Sequence, residues 1–194
     1  MTKAALNLQG VSTLIVDKDK FAVGLLLQML RGFGIDQPVV VETGAAAKEA
    51  LRKHAYDLCL LESKLPDMDG ADLVLWIREQ KPPLRFMPTI VVTSYSQMSN
   101  VTAARDSGAH IVIRKPVSPQ ILFDRIGWAA NGERPFVETS VYAGPDRRFK
   151  FTGIPGGVGR READLTGELG EAKEPNMSQD EIDAMLRPTK IVTE

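Results

Sequence analysis

Five short apolar runs, each followed by an amphipathic stretch, constrain this chain more than any other feature of it. The runs are TLIV (13–16), PVVV (38–41), DLCLL (57–61), TIVV (89–92) and HIVI (110–113). They are β-branched and nearly continuous, the pattern of parallel strands covered on both faces. Helical periodicity predicts helices over 21–30, 45–53, 71–79, 98–106 and 119–130. Gly44 and Gly108 punctuate the junctions, and Thr43 and Ser118 stand where an N-cap is needed. Five βα units in succession predict an α/β fold over residues 11–131, a doubly wound (βα)5 parallel sheet with helices on both faces.

Beyond Gly132 the pattern dissolves. Residues 132–176 carry six glycines between Gly153 and Gly170, four prolines and few large apolar side chains. Such a composition buries too little surface to offset its ordering entropy, so a largely disordered linker is expected. A helix signal returns near the end of the chain, giving a third region at 177–188. The net charge of −1 gives no pull toward nucleic acid or anionic membrane. One cysteine, Cys59, excludes an intrachain disulfide framework and a thiolate zinc cluster, and its apolar setting suits a buried thiol. No run approaches the ~20 apolar residues of a membrane span, and the start lacks a signal-peptide core. A cytoplasmic setting is expected.

In an open parallel sheet the functional crevice lies at the carboxyl ends of the strands. There the sequence places Asp17, Lys18 and Asp19 after the first strand and Glu62 after the third. Thr93 and Ser94 follow the fourth, and Lys115 follows the fifth. Acids, a hydroxyl and a lysine converging on one edge suggest a phosphoryl or metal site.

The pieces LIVDKD, LLESKLPDMDG, PTIVVTS and IRKP make residues 11–130 resemble a response-regulator receiver domain, whose fold is flavodoxin-like. In that family an acidic pair after the first strand holds Mg²⁺ and an aspartate after the third accepts a phosphoryl group. A Thr or Ser and a Lys then sense it. By resemblance Asp17 is the first metal acid, Thr93 the sensing hydroxyl and Lys115 the sensing lysine. Three positions depart from the pattern: Glu62 stands at the phosphoacceptor, Lys18 at the second metal acid, and Val112 where a switch aromatic is common. Glu62 carries its oxygens roughly 1 Å beyond an aspartate's, a misplacement that costs about two orders of magnitude in rate. Lys18 would repel Mg²⁺. Asp17, Lys18, Glu62 and Lys115 are therefore expected to pair with one another, with Thr93 bonding Glu62 as it would a phosphoryl oxygen. Neither metal nor cofactor is expected.

The tail stretch NMSQDEIDAML (176–186) has its own logic. Ser178 and Glu181 have capping-box spacing, and Ile182, Met185 and Leu186 form one apolar stripe. The string resembles the N-terminal segment of the flagellar motor switch protein, which binds chemotaxis regulators through their fourth helix, fifth strand and fifth helix. It is expected to dock either on its own receiver or on another protein. Between the two parts, Arg147 and Arg148 beside Phe149 suit linker charge, protein docking or an anion such as a cyclic dinucleotide. His54 is expected as a helix cap, His110 without a metal role, Trp76 in the core, and Trp128 in core or interface.

Together these features predict a non-enzymatic, phosphorylation-independent pseudo-receiver in two-component, chemotaxis or flagellar signalling. Its partners would be proteins: a histidine kinase, other receivers, flagellar switch components or its own tail. DNA and membrane are not expected partners, since no helix–turn–helix module follows the receiver. The alternatives are a conventional phosphoacceptor of a phosphorelay and a cyclic-dinucleotide effector using Arg147 and Arg148.

Overall fold

In the computed structural model of the chain, residues 8–130, 136–139, 142–146 and 176–186 are described. Strands β1 (Thr13–Val16), β2 (Val39–Val41), β3 (Leu58–Leu61), β4 (Thr89–Thr93) and β5 (Ile111–Arg114) form one sheet in the order β2-β1-β3-β4-β5, every pairing parallel. Helices α1 (Lys20–Gly32), α2 (Gly44–Lys53), α3 (Gly70–Glu79), α4 (Met98–Asp106) and α5 (Pro119–Ala130) connect and flank it, with a short 3₁₀ turn at Leu84–Phe86. The doubly wound α/β sheet is as the sequence predicts, and the boundaries differ by a residue or two.

Period-two alternation along the strands builds two cores. Leu14, Val16, Cys59, Leu61, Val91 and Val112 face α2, α3 and α4. Ile15, Leu60, Ile90, Val92 and Ile113 face α1 and α5. Cys59 is fully buried, which pushes its thiol pKa up to about 12. The expected caps form: Thr43 accepts the amide of Ala46 at 3.1 Å, Ser118 that of Ile121 at 3.3 Å, and His54 closes α2. Trp76 is half-buried, with Lys48 and Arg52 over its ring at 5.5 and 5.3 Å. Trp128 is likewise half-buried, packed on the α1/α5 core.

Within the region expected to be disordered, the described residues form an antiparallel hairpin, β6 (Phe136–Glu138) with β7 (Ala143–Pro145). The rest of 132–175 lies outside the described residues. Composition hides the hairpin because its stability is tertiary. Phe136 packs edge-on against Phe86 with centroids 4.8 Å apart and lies under the Arg78 guanidinium at 5.7 Å, while Glu138 pairs with Arg85.

Arg78 is 2% exposed and pairs with no carboxylate among the described residues. It donates instead to the carbonyls of Gly108 (3.0 Å), Arg85 (2.7 Å) and Met87 (3.0 Å) and to Thr89 Oγ1 (2.6 Å), and its Nη2 lies 3.2 Å from His110 Nδ1. Burial lowers its pKa to about 10, which leaves it charged at neutral pH. His110 Nδ1 also accepts the amide of Thr89 at 3.2 Å, so this side chain belongs to the Arg78 cluster.

Gly108 has φ +94°, and a Cβ there would sit 2.6 Å from the Ala143 carbonyl. Gly24, inside α1, has nothing within 4 Å of its would-be Cβ. Gly108→Ala is therefore expected to lose about 1–3 kcal/mol in urea unfolding. Gly24→Ala should gain up to about 1 kcal/mol, because helix entropy alone changes there. Equal effects of the two substitutions would contradict the hairpin packing.

Candidate functional site

The carboxyl ends of β1, β3, β4 and β5 bring Asp17, Glu62, Thr93 and Lys115 together. Each is placed by backbone pairing: the Asp17 amide bonds the Val41 carbonyl, that of Glu62 bonds Val16, and that of Lys115 bonds Thr93. The turn after Glu62 closes through the Gly70 amide on the Ser63 carbonyl at 2.8 Å. A Cβ on Gly70 would meet the Glu62 carbonyl at 2.4 Å, so the turn requires glycine there.

Lys115 Nζ donates to Asp17 Oδ2 at 2.6 Å and to Glu62 Oε2 at 3.0 Å, and both carboxylates are buried. Burial by itself disfavours the ammonium, but its bonds and attraction to Asp17 and Glu62 outweigh that and raise the Lys115 pKa above its ordinary value. Oε2 of Glu62 also lies 3.4 Å from the Ser94 amide. The other oxygen, Oε1, turns back onto the Ser63 amide (2.6 Å) and Ser63 Oγ (3.0 Å).

Thr93 does not bond Glu62 directly, contrary to the sequence expectation. Its Oγ1 lies 2.6 Å from Ser63 Oγ, and it accepts the Tyr95 amide at 2.9 Å. Ser63 has a single hydroxyl proton, donated to Glu62, so Thr93 is the donor to Ser63. Ser63 is thus a bridging residue that the sequence reading missed. A serine next to a strand-end glutamate carries no motif signal, and its role emerges only when the longer side chain folds back. Lys18 is the second correction. It is exposed and takes part in none of the site's ion pairs, because period-two alternation that points Asp17 inward points Lys18 to solvent.

The family's Mg²⁺ does not fit these donors. Asp17 Oδ1 accepts the Asp19 amide at 2.8 Å and Oδ2 holds Lys115, while Asp19 caps α1 through the amides of Phe21 and Ala22. Among the described residues no group of three His, Cys, Asp or Glu could hold a metal. No helix among them is long and apolar enough to cross a membrane.

The tail helix α6 (Gln179–Leu186) lies on the face made by α4, β5 and α5 of its own domain. The capping box forms: Glu181 Oε2 accepts the Ser178 amide at 2.7 Å and its hydroxyl at 2.8 Å. Ile182 is 0% and Leu186 5% exposed, in the core cluster with Val101, Ala104 and Val112, and Met185 packs at its margin. Ahead of the helix, Met177 bonds Ser96 twice: its amide donates to the Ser96 carbonyl at 2.8 Å, and the Ser96 hydroxyl donates to its carbonyl at 3.1 Å. Two anchors had no sequence signal. Asp183 pairs with Arg125 of α5, and the Gln179 carboxamide accepts the Arg114 amide (2.7 Å) while donating to the Val112 carbonyl (3.2 Å). Arg147 and Arg148 lie outside the described residues.

Removing Lys115 would leave two buried carboxylates without their shared cation. Lys115→Met is expected to cost about 3–5 kcal/mol in urea unfolding at pH 7 without divalent cations. The Lys115 pKa is raised on folding, so its stabilisation is full below about 10.5 and fades as pH climbs through the higher folded value. The variant should lack that part of the alkaline loss and keep the part due to Cys59, whose thiol titrates earlier when unfolded. A loss below about 1 kcal/mol at pH 7 would contradict the paired site.

Comparison with known proteins agrees with this geometry. The model of the response regulator receiver domain family matches residues 13–127. The chain is 26% identical over 107 residues to the polar-differentiation response regulator DivK of Brucella ovis, covering 55% of this chain and 85% of that protein. It is 35% identical over 121 residues to the transcriptional regulatory protein GltR of Pseudomonas aeruginosa, covering 62% of this chain and 49% of that one. Among solved structures, a CheY-like receiver domain protein of Methanospirillum hungatei superposes with TM-score 0.57 at 28% identity, over 62% of this chain and 94% of that one. A two-component response regulator of Clostridium difficile gives 0.57 at 26%, over 62% and 96%. With a family match across more than half its length and the five-stranded sheet in place, the chain belongs to the response regulator receiver family.

Proposed function

We propose that this receiver works without phosphorylation, as a non-enzymatic protein-interaction adaptor in two-component signalling, with Glu62 standing in for the phosphorylated aspartate. The observation that carries the reading is the bonding of Glu62: one oxygen on Lys115, the other on Ser63, which in turn receives Thr93. The lysine that by resemblance senses a phosphoryl group is thereby already engaged by a carboxylate of the protein, and the sensing hydroxyl is engaged through Ser63. Phosphoryl transfer needs an in-line nucleophile beside Mg²⁺. Here the carboxylate is folded back, and an ammonium occupies the space between the acids.

Protein partners follow from the reading: a histidine kinase, other receivers, or components bearing segments like α6. The resemblance of the tail to the flagellar switch segment supports a chemotactic or flagellar setting in the cytoplasm.

Incubation of the full chain with Mg²⁺ and acetyl phosphate, followed by intact-mass analysis, tests the reading. Wild type is expected to gain no phosphoryl group. Restoring the family pattern with Glu62→Asp and Lys18→Asp together should yield a hydroxylamine-sensitive acyl phosphate. Stoichiometric phosphorylation of wild type at Asp17 or Glu62 would overturn the reading.

A further inference from the structure

Strand β2 is the outer strand of the sheet on the side away from α6. The Asp17 amide bonds the Val41 carbonyl, so Val39 and Val41 turn their peptide groups toward β1. Val40 between them turns its N–H and C=O outward. Val39 is 42% and Val40 38% exposed, one on each face of the sheet. An open apolar edge invites a further strand unless a charge, a proline or a covering segment blocks it. The strand VVV carries no charge, and Pro38 confines the open edge to it. The exposed acids Asp36 and Glu42 flank it, and neither is in an ion pair among the described residues.

The sequence after α6 supplies the complement. Residues 187–193 read RPTKIVT, with two bases, no acid, and β-branched side chains at Thr189, Ile191, Val192 and Thr193. Pro188 divides this run from the helix, and its composition favours strand pairing. Its charge suits Asp36 and Glu42. It cannot reach β2 of its own chain while α6 is seated. That helix is anchored to β5 and α5, and β5 stands at the opposite edge from β2. The four strand spacings between those edges amount to about 19 Å. Residues 187 and 188 add at most about 7 Å. The partner that fits is a second copy of the chain.

We propose that residues 189–193 of one copy add as a strand beside β2 of a second copy. Val40 exchanges the backbone bonds, and Val39 and Val40 receive the β-branched side chains. The contact joins two different surfaces, so it links chains head to tail instead of closing a two-fold dimer. With only three residues of open edge, the association is weak and concentration-dependent. It does not depend on the state of Glu62.

Sedimentation velocity of the full chain from low to high micromolar concentration tests the proposal, together with fluorescence anisotropy of a labelled synthetic peptide of residues 187–194. The average mass of wild type is expected to rise with concentration, and the peptide to bind it saturably. A chain ending at Leu186, which keeps α6, should stay monomeric and still bind the peptide. Val40→Pro removes the outward N–H at an edge position that tolerates proline, and should weaken peptide binding about tenfold or more. Val40→Lys, which sets a like charge against the basic segment, decides the matter if the proline variant loses its circular dichroism. Assembly of the shortened chain as strong as that of wild type would overturn the proposal, since β2 or another surface would then pair with itself. Equal peptide binding by wild type and the Val40 variants would also overturn it, as would a wild type that stays monomeric and binds no peptide.

Discussion

The ammonium of Lys115 between the carboxylates of Asp17 and Glu62 organises the carboxyl edge of the sheet. Two acids buried this close repel, and each alone would be expensive to desolvate. One cation between them reverses the balance and ties the ends of β1, β3 and β5 together. Glu62 then passes the constraint sideways through Ser63 to Thr93, whose Oγ1 holds the Tyr95 amide. The next residue, Ser96, is the one that clasps Met177. A chain of short contacts therefore runs from the site to the segment that leads into α6.

The two ends of the sheet use buried cations in opposite ways. At the carboxyl end Lys115 has two acids, and a raised pKa follows. At the amino end the acceptors of Arg78 among the described residues are neutral, and burial lowers its pKa. A guanidinium, with five donors in a fixed plane, can be satisfied by carbonyls where an ammonium could not be so widely bonded. The hairpin completes that arrangement, with the guanidinium over the Phe136 ring. The chain beyond α5 thus contacts the domain at both ends.

Much of this was legible in the residues. Near-continuous β-branched runs suit strands of a two-sided sheet, so the (βα)5 order and the residues at strand ends followed directly. The burial expected of every run fails at edge strand β2, where Val39 is 42% and Val40 38% exposed. The capping box and the Ile182/Leu186 stripe were also legible, because both are local patterns. What escaped was set by tertiary contact or by side-chain direction. Lys18 lies one residue past Asp17 and so points the other way. Ser63 acts only because Glu62 bends back toward it. Gln179 and Asp183 look like ordinary helix polars until β5 and Arg125 lie beside them, and the hairpin's packing on Arg78 has no counterpart in its glycine- and proline-rich composition.

The chain's own side chains close the site through Lys115, Glu62 and Ser63, a closure open to direct measurement. Its most direct test is a ¹⁵N–¹H correlation spectrum of the full chain, recorded before and after adding Mg²⁺ with beryllium fluoride, an analogue of the phosphoryl group. We expect the amides of Asp17, Ser63, Ser94, Tyr95 and Lys115 to stay where they are. Saturable shifts confined to those residues would show a site that opens to metal and phosphoryl group, and would contradict the account.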